Sequence, residues 1–379
     1  MKRPRVVVAP DKFKGSLTAT EAAVRITAGL HHVVPDAQVI QVPVADGGDG
    51  TVDAAVAAGF ERVPVVACGP TGEAVRTSFA RRGDEAVVEM ASVCGLVRLP
   101  YGRLEPEASS SYGVGLAVRA AVSGGARRVV LGIGGSASTD GGAGFLQALD
   151  VRVTTADGGD VERGGTALAR VDAVDLSGLP AAFGDVELLV AADVDNPLTG
   201  ANGAAAIYGP QKGASPDQVT RLDAALTHWA QVINRATGTD HAADPGAGAA
   251  GGLGFAAVAA LGATLRPGIE LVLELVGLAA HLAAADLVIT GEGSLDPQTL
   301  AGKAPLGVAA AARAAGVRVI AVCGRTTLGV EHLRQAGIAA AYPLTDLEPD
   351  VARCQADAGP LLERLGAVVA RSELCVTSS

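Results

Sequence analysis

Hydrophobic residues in this chain come in short runs that end at glycine, proline or an acid. Residues 6–9 (VVVA), 128–133 (RVVLGI), 187–192 (ELLVAA), 286–290 (DLVIT) and 318–323 (RVIAVC) are apolar and largely β-branched. Short continuous runs of this kind fit strands buried on both faces of a parallel sheet. Between them the pattern changes to helical. Thr18 and Glu21 make a T-x-x-E capping box ahead of a helix expected over 19–31. Further helices are expected over 51–58, 114–123, 143–149, 216–237, 304–315, 330–336 and 350–371.

The opening order is strand 6–9, helix 19–31, strand 38–44, helix 51–58, which predicts a parallel sheet. After Gly59 the texture differs. Residues 61–67, 74–80 and 86–90 read as short strands joined by tight turns, an antiparallel meander. From residue 286 the α/β rhythm returns, with strands at 286–290, 318–323 and 339–343. The expected fold class is α/β. Both termini, 1–63 and 286–379, build a Rossmann-like parallel-sheet domain. A large mixed α/β domain, 64–285, is inserted in it, and ligands are expected in the interdomain cleft.

Composition narrows the function. The chain has 379 residues, long for one core, and 49% are hydrophobic, which excludes disorder. Its formal charge of −10 leaves no basic footprint for nucleic acid, and aromatics at 3% are too few for a base-stacking surface. Cys68, Cys94, Cys323, Cys354 and Cys375 form no C-x-x-C pair, so reduced thiols and a cytoplasmic location are expected. The N-terminal apolar run stops at Pro10, too short for a signal peptide. The uncharged run 246–265 is mostly glycine and alanine. It reads as a glycine-rich loop entering a buried helix near Leu253, and no membrane span is expected.

The candidate chemistry lies where strands end. There is no G-x-x-x-x-G-K-[ST] motif, no kinase catalytic-loop signature, no G-x-S-x-G elbow and no zinc pattern. Gly252, Gly254 and Ala257 fit G-x-G-x-x-A but follow no strand. Four strands end in glycine and acid: Asp46 and Asp49, Asp140, Asp193 and Asp195, Glu292 and Asp296. Lys14, Lys212 and Lys303 lie in similar loops. Acids in such loops suit Mg²⁺ or removal of a hydroxyl proton, and lysines with glycine N–H groups suit phosphates. Phosphoryl transfer needs these parts and little covalent chemistry from the protein.

Seven segments carry a family resemblance. They are APDKFKGSLTA (9–19), ADGGDGT (45–51), GIGGSASTDGGAG (132–144), DVDNPLTGANGAA (193–205), YGPQKGAS (208–215), PGAGAAGGLG (245–254) and VITGEGSLDPQTLAGKAP (288–305). Together they resemble the bacterial type 1 glycerate kinase family, in order and over nearly the whole chain. The resemblance implies ATP-dependent phosphorylation of D-glycerate with Mg²⁺, favouring 2-phosphoglycerate over 3-phosphoglycerate. It implies catalytic roles for Asp46, Asp193, Lys14 and Lys303. Substrate binding falls to Asp11, Ser16, Asp49, Ser111 and Asn196. Nucleotide binding falls to Gly134, Gly135, Ser136, Gln211, Lys212, Gly291 and Gly293. Metal binding falls to Asp193, Glu292 and Asp296. Ser294 departs from the pattern, standing where many relatives have arginine, and Lys12, Arg325 or another cation is then the expected substitute. An NAD(P)-dependent oxidoreductase and a non-catalytic sugar-acid binding protein are the alternative readings.

Overall fold

The computed structural model describes residues 3–179 and 183–375. The chain forms two compact units. One comprises Met1–Asp46, Asp53–Gly59 and Ile269–Ser379, the other Gly47–Val52 and Phe60–Gly268.

The terminal-chain unit is built on a five-stranded, all-parallel sheet. Its strands are β1 (Arg5–Pro10), β2 (Gln38–Gln41), β11 (Leu287–Leu295), β12 (Arg318–Thr326) and β13 (Ala341–Pro343), in the order β13-β12-β11-β1-β2. Successive residues of each strand feed opposite faces, because side chains alternate along a strand. Val7, Ala9, Val288, Val319 and Ala321 pack with helix Ala304–Ala314 on one side. Val6, Val8, Leu287, Ile289 and Ile320 pack with helices Ala19–Val33 and Ala358–Val369 on the other. Burial on both faces is why these strands read as unbroken apolar runs. Thr18 and Glu21 form the expected capping box.

The other unit holds a mixed six-stranded sheet. In chain order its strands are β3 (Glu61–Cys68), β4 (Ala74–Arg82), β5 (Glu85–Glu89), β6 (Arg128–Gly132), β9 (Glu187–Ala191) and β10 (Thr264–Arg266). The sheet order is β10-β9-β6-β5-β4-β3. The β3–β4–β5 meander is antiparallel, and β5, β6, β9 and β10 are parallel. A separate hairpin pairs β7 (Arg152–Thr154) with β8 (Ala173–Asp175). Phe145, Trp229 and Phe255 fill the core, and the Trp229 indole N–H donates to the Gly141 carbonyl at 2.9 Å. The glycine-rich run leads into the helix Leu253–Leu261. Among the described residues no helix is long and apolar enough to cross a membrane.

Three elements differ from the sequence expectation. β11 does not break at Gly291 but runs on to Leu295, pairing Glu292 with Cys323 and Ser294 with Arg325. The long helix expected over 350–371 is divided at Asp357 into Val351–Ala356 and Ala358–Val369. Residues 269–282 are helical and pack in the terminal-chain unit, where Ile269, Val272, Leu278 and Leu282 join the core of Val288 and Ala321.

Candidate active site

In the terminal-chain unit, acids gather where β1, β11 and the segment after β2 end. Asp11 follows β1, and its N–H donates to the Gly291 carbonyl at 2.8 Å. The chain after β2 stays beside β1, with Val44 N–H bonded to the Pro10 carbonyl at 3.0 Å, and so delivers Asp46 to the same edge. Glu292 lies within β11. Asp11 is only 6% exposed, and burial pushes its carboxyl up to about 7; Lys12 opposes the shift, and Asp46 and Glu292 add to it. Glu292 is also raised, mainly by burial, with Asp296 and Asp46 adding to it. Its two oxygens have separate partners. The Thr299 hydroxyl donates to Oε1 at 2.6 Å, and Lys303 Nζ stands 3.8 Å from Oε2. These are carboxylates with too little compensation, the condition in which acids are set for chemistry or for a cation.

Other expected residues stand close by. Lys14 is exposed. The Ser16 hydroxyl donates to the Phe13 carbonyl at 2.9 Å, closing its own loop. Asp296 is half-buried, and its Oδ1 accepts from Gln298 N–H at 2.9 Å. Gly291 and Gly293 are not turn glycines. Both are in extended strand, and a methyl at Gly291 would collide with the Val322 carbonyl oxygen. Gly291 serves close packing against β12, and a methyl at Gly293 would stand 3.3 Å from the Lys14 backbone nitrogen. Ser294 carries a buried hydroxyl without a hydrogen-bond partner, and Arg325 is its register partner on β12.

In the other unit the ends of β5, β6 and β9 gather a second set. Gly47 takes φ 87°, a left-handed backbone that glycine adopts without strain. A methyl at Gly134 would stand 2.8 Å from the Gly48 Cα, so the Gly47–Val52 segment lies on the 132–136 loop through glycine contacts. Glu89, at the end of β5, accepts from Gly50 N–H at 2.9 Å and Val52 N–H at 3.2 Å. Asp49 and Gly135 are exposed on this edge. Asp193 is exposed after β9, and its Oδ1 accepts from Gly268 N–H at 2.8 Å. Asn196 has its amide engaged at both ends. It donates to the Asn202 carbonyl at 2.9 Å and accepts from the Tyr208 hydroxyl at 2.6 Å.

Two expected ligand contacts face inward. Ser111 is fully buried and does not cap its helix; its hydroxyl donates to Asp140 Oδ2 at 2.9 Å and accepts from Phe145 N–H at 2.9 Å. Lys212 is 2% exposed and donates to Ser136 Oγ at 2.9 Å and the Ser138 carbonyl at 2.5 Å, while its neighbour Gln211 is exposed. Asp140 takes five donors: Ser110 Oγ, Ser111 N and Oγ, Gly142 N and Gly144 N. Sequence reasoning gave Glu89 and Thr299 no role. An acid ending an apolar strand was the available signal for Glu89, and Thr299 had none beyond its place in the turn after Asp296.

The comparisons agree with one another. A model of the glycerate kinase family matches residues 6–373. The glycerate 2-kinase of Escherichia coli K12 is 45% identical over 89% of this chain and 90% of its own length. The glycerate kinase of Bacillus subtilis 168 is 44% identical over 90% of each chain. A crystal structure of a candidate glycerate kinase 2 from Salmonella typhimurium LT2 superposes with a TM-score of 0.86, at 40% identity and 99% coverage of both chains.

Proposed function

The chain belongs to the glycerate kinase family, and from that premise we propose that it transfers the γ-phosphate of ATP to the 2-hydroxyl of D-glycerate. The observation that carries the reading is the acidic edge of the terminal-chain unit. There Asp11, Asp46 and Glu292 come together beside Lys303, with Asp11 pushed up to about 7. The name of the Escherichia coli relative favours the 2-position.

Phosphoryl transfer is catalysed by positioning and charge stabilisation. Asp46 is half-buried, close enough to Asp11 and Glu292 to raise both, and is assigned as acceptor of the glycerate hydroxyl proton. Asp193 is the alternative acceptor, and the turnover of Asp193→Asn decides between them. Lys14 and Lys303 hold the glycerate carboxylate and the transferring phosphate. Arg325 supplies the cation that Ser294 lacks, because register partners on adjacent strands project from one face of the sheet. The nucleotide is assigned to the glycine-lined edge of the other unit, at Gly134, Gly135 and Ser136 with Gln211.

The donor set of the terminal-chain unit fits Mg²⁺. Glu292 is desolvated with Asp296 and Asp46 adding negative charge, and a cation would relieve that. Among the described residues no three candidate ligands are already grouped. Mg²⁺ is held by one or two carboxylates with phosphate oxygens and water, so Glu292 and Asp296 suffice. Mg²⁺ bound there would neutralise charge on the phosphates.

ADP release coupled to a reporter, measured with D-glycerate and with a panel of other hydroxy acids, tests this. The expected result is ADP release that requires ATP and D-glycerate. Glycerate binding without ADP formation, or release indifferent to the acid supplied, overturns it.

A further inference from the structure

Among the described residues, Lys212 is the one lysine in the set of largest fully buried side chains. It follows Gln211 in the short turn Pro210–Lys212, and Gly213 (φ 92°) closes that turn. From there its side chain reaches into the loop after β6. Its ammonium donates to Ser136 Oγ and to the Ser138 carbonyl, on either side of Ala137. The loop is also held from its other flank. Leu96 N–H donates to the Gly135 carbonyl, and Ala137 N–H donates to the Cys94 carbonyl, both at 3.0 Å. The charge is not spent on a direct carboxylate bond. Asp140 attracts it, yet the hydrogen bonds to that carboxylate come from Ser110, Ser111, Gly142 and Gly144. The hydroxyls of Ser138 and Thr139 lie in the same loop, buried and without a hydrogen-bond partner. A cation bound mainly to dipoles is a poor way to stabilise a fold, since its desolvation is not repaid by a direct partner. It is an effective way to give a surface loop a positive field.

We propose that Lys212 is a positioning residue for the loop 134–136: from behind the loop it fixes Ser136 and supplies the positive charge that seats a phosphate of the nucleotide. The inference rests on the assignment of that loop to ATP. It replaces direct contact by Lys212 with an action through Ser136.

Burial brings the Lys212 ammonium down to about 7, with Asp140 opposing the shift. Asp140 is the charged group facing it. The Cys94 thiol on the far flank is pushed up to about 12 and stays neutral. Below about pH 7 the free protein carries the charge already. Above it, phosphate binding must draw in a proton, and the benefit of Lys212 shrinks with each unit of pH.

The test is steady-state kinetics of Lys212→Met and Lys212→Arg beside the wild type at pH from about 6 to about 9, with thermal melting as a check on folding. At the low end, Lys212→Met is expected to raise KM for ATP about tenfold or more, with KM for D-glycerate changed less than about twofold. The ratio of the two ATP KM values, variant over wild type, narrows as pH rises; the ratio cancels the titration of ATP itself. Lys212→Arg keeps its charge, so its KM for ATP falls relative to the wild type at the high end. A folded Lys212→Met with both KM values unchanged overturns the role of Lys212 and leaves the loop assignment standing. A rise confined to KM for glycerate overturns the loop assignment, and the proposal with it. If Lys212→Met does not fold, a folded Lys212→Arg whose ATP KM follows the wild-type pH profile is the contradicting result.

Discussion

Both units end parallel strands in acids with a lysine nearby, and the two edges reach opposite electrostatic outcomes. At Asp140 the carboxylate is buried and saturated, with five donors from two loops. At Asp11 and Glu292 the carboxylates are buried and short of donors. One Asp11 oxygen accepts from Lys12 N–H at 2.6 Å, and Glu292 has one hydroxyl and a lysine 3.8 Å away. Saturation makes a scaffold, because every donor depends on the charge. Shortage makes a reactive edge, because a proton, a cation or a substrate can still improve the balance. Motif and burial are alike in the two places, and the count of donors separates them.

Four substitutions test that difference, from the largest effect to the smallest. Asp46→Asn is expected to lower kcat about 10²–10⁴-fold if Asp46 takes the hydroxyl proton, with the urea midpoint little changed. Near-normal turnover would pass the role to Asp193. Asp140→Ala should act the other way round. It strands several buried donors and is expected to cost about 3–5 kcal/mol in urea unfolding, a loss of folded protein before any loss of specific chemistry.

Asp11→Asn reads the shortage as pH dependence. The carboxyl stands at about 7 in the folded chain against 3.8 in its unperturbed state, so between those values the unfolded chain has lost a proton that the folded chain keeps. Stability contributed by this group therefore falls as pH rises from about 4 to about 7 and stays low above, by a few kcal/mol at most. Asp11→Asn should remove that slope and melt higher than the wild type at pH 8, while the two converge at low pH. A wild-type slope retained in the variant would assign the titration elsewhere.

Ser111→Ala is the smallest. It removes one of the donors to Asp140 and should cost about 1–2 kcal/mol, with KM for D-glycerate within about twofold of the wild type. A larger KM change would support the substrate contact that the family resemblance implies for Ser111.

Much of the fold was legible because burial leaves a pattern. The helix Pro216–Thr237 falls on its expected residues, and the meander and the two-faced burial of β1 follow from apolar spacing. The misreadings share a cause. Glycine serves both left-handed turns and close approach, and the letters alone do not distinguish Gly47 from Gly291. The burial of Lys212 had no signal either: lysine is seldom buried, and nothing in YGPQKG shows that its side chain turns inward. Donor counts belong to three-dimensional neighbours. Asp140 and Ser111 are 29 residues apart, so the saturation of one acid and the shortage at another were not readable along the chain.

Phosphorus NMR of the products from ATP and D-glycerate tests the central claim most directly. The account predicts ADP and a single new phosphomonoester, 2-phosphoglycerate, formed in equal amounts. A signal from 3-phosphoglycerate would contradict the assigned acceptor hydroxyl. ADP with only inorganic phosphate, or no conversion of ATP, would contradict the kinase reading itself.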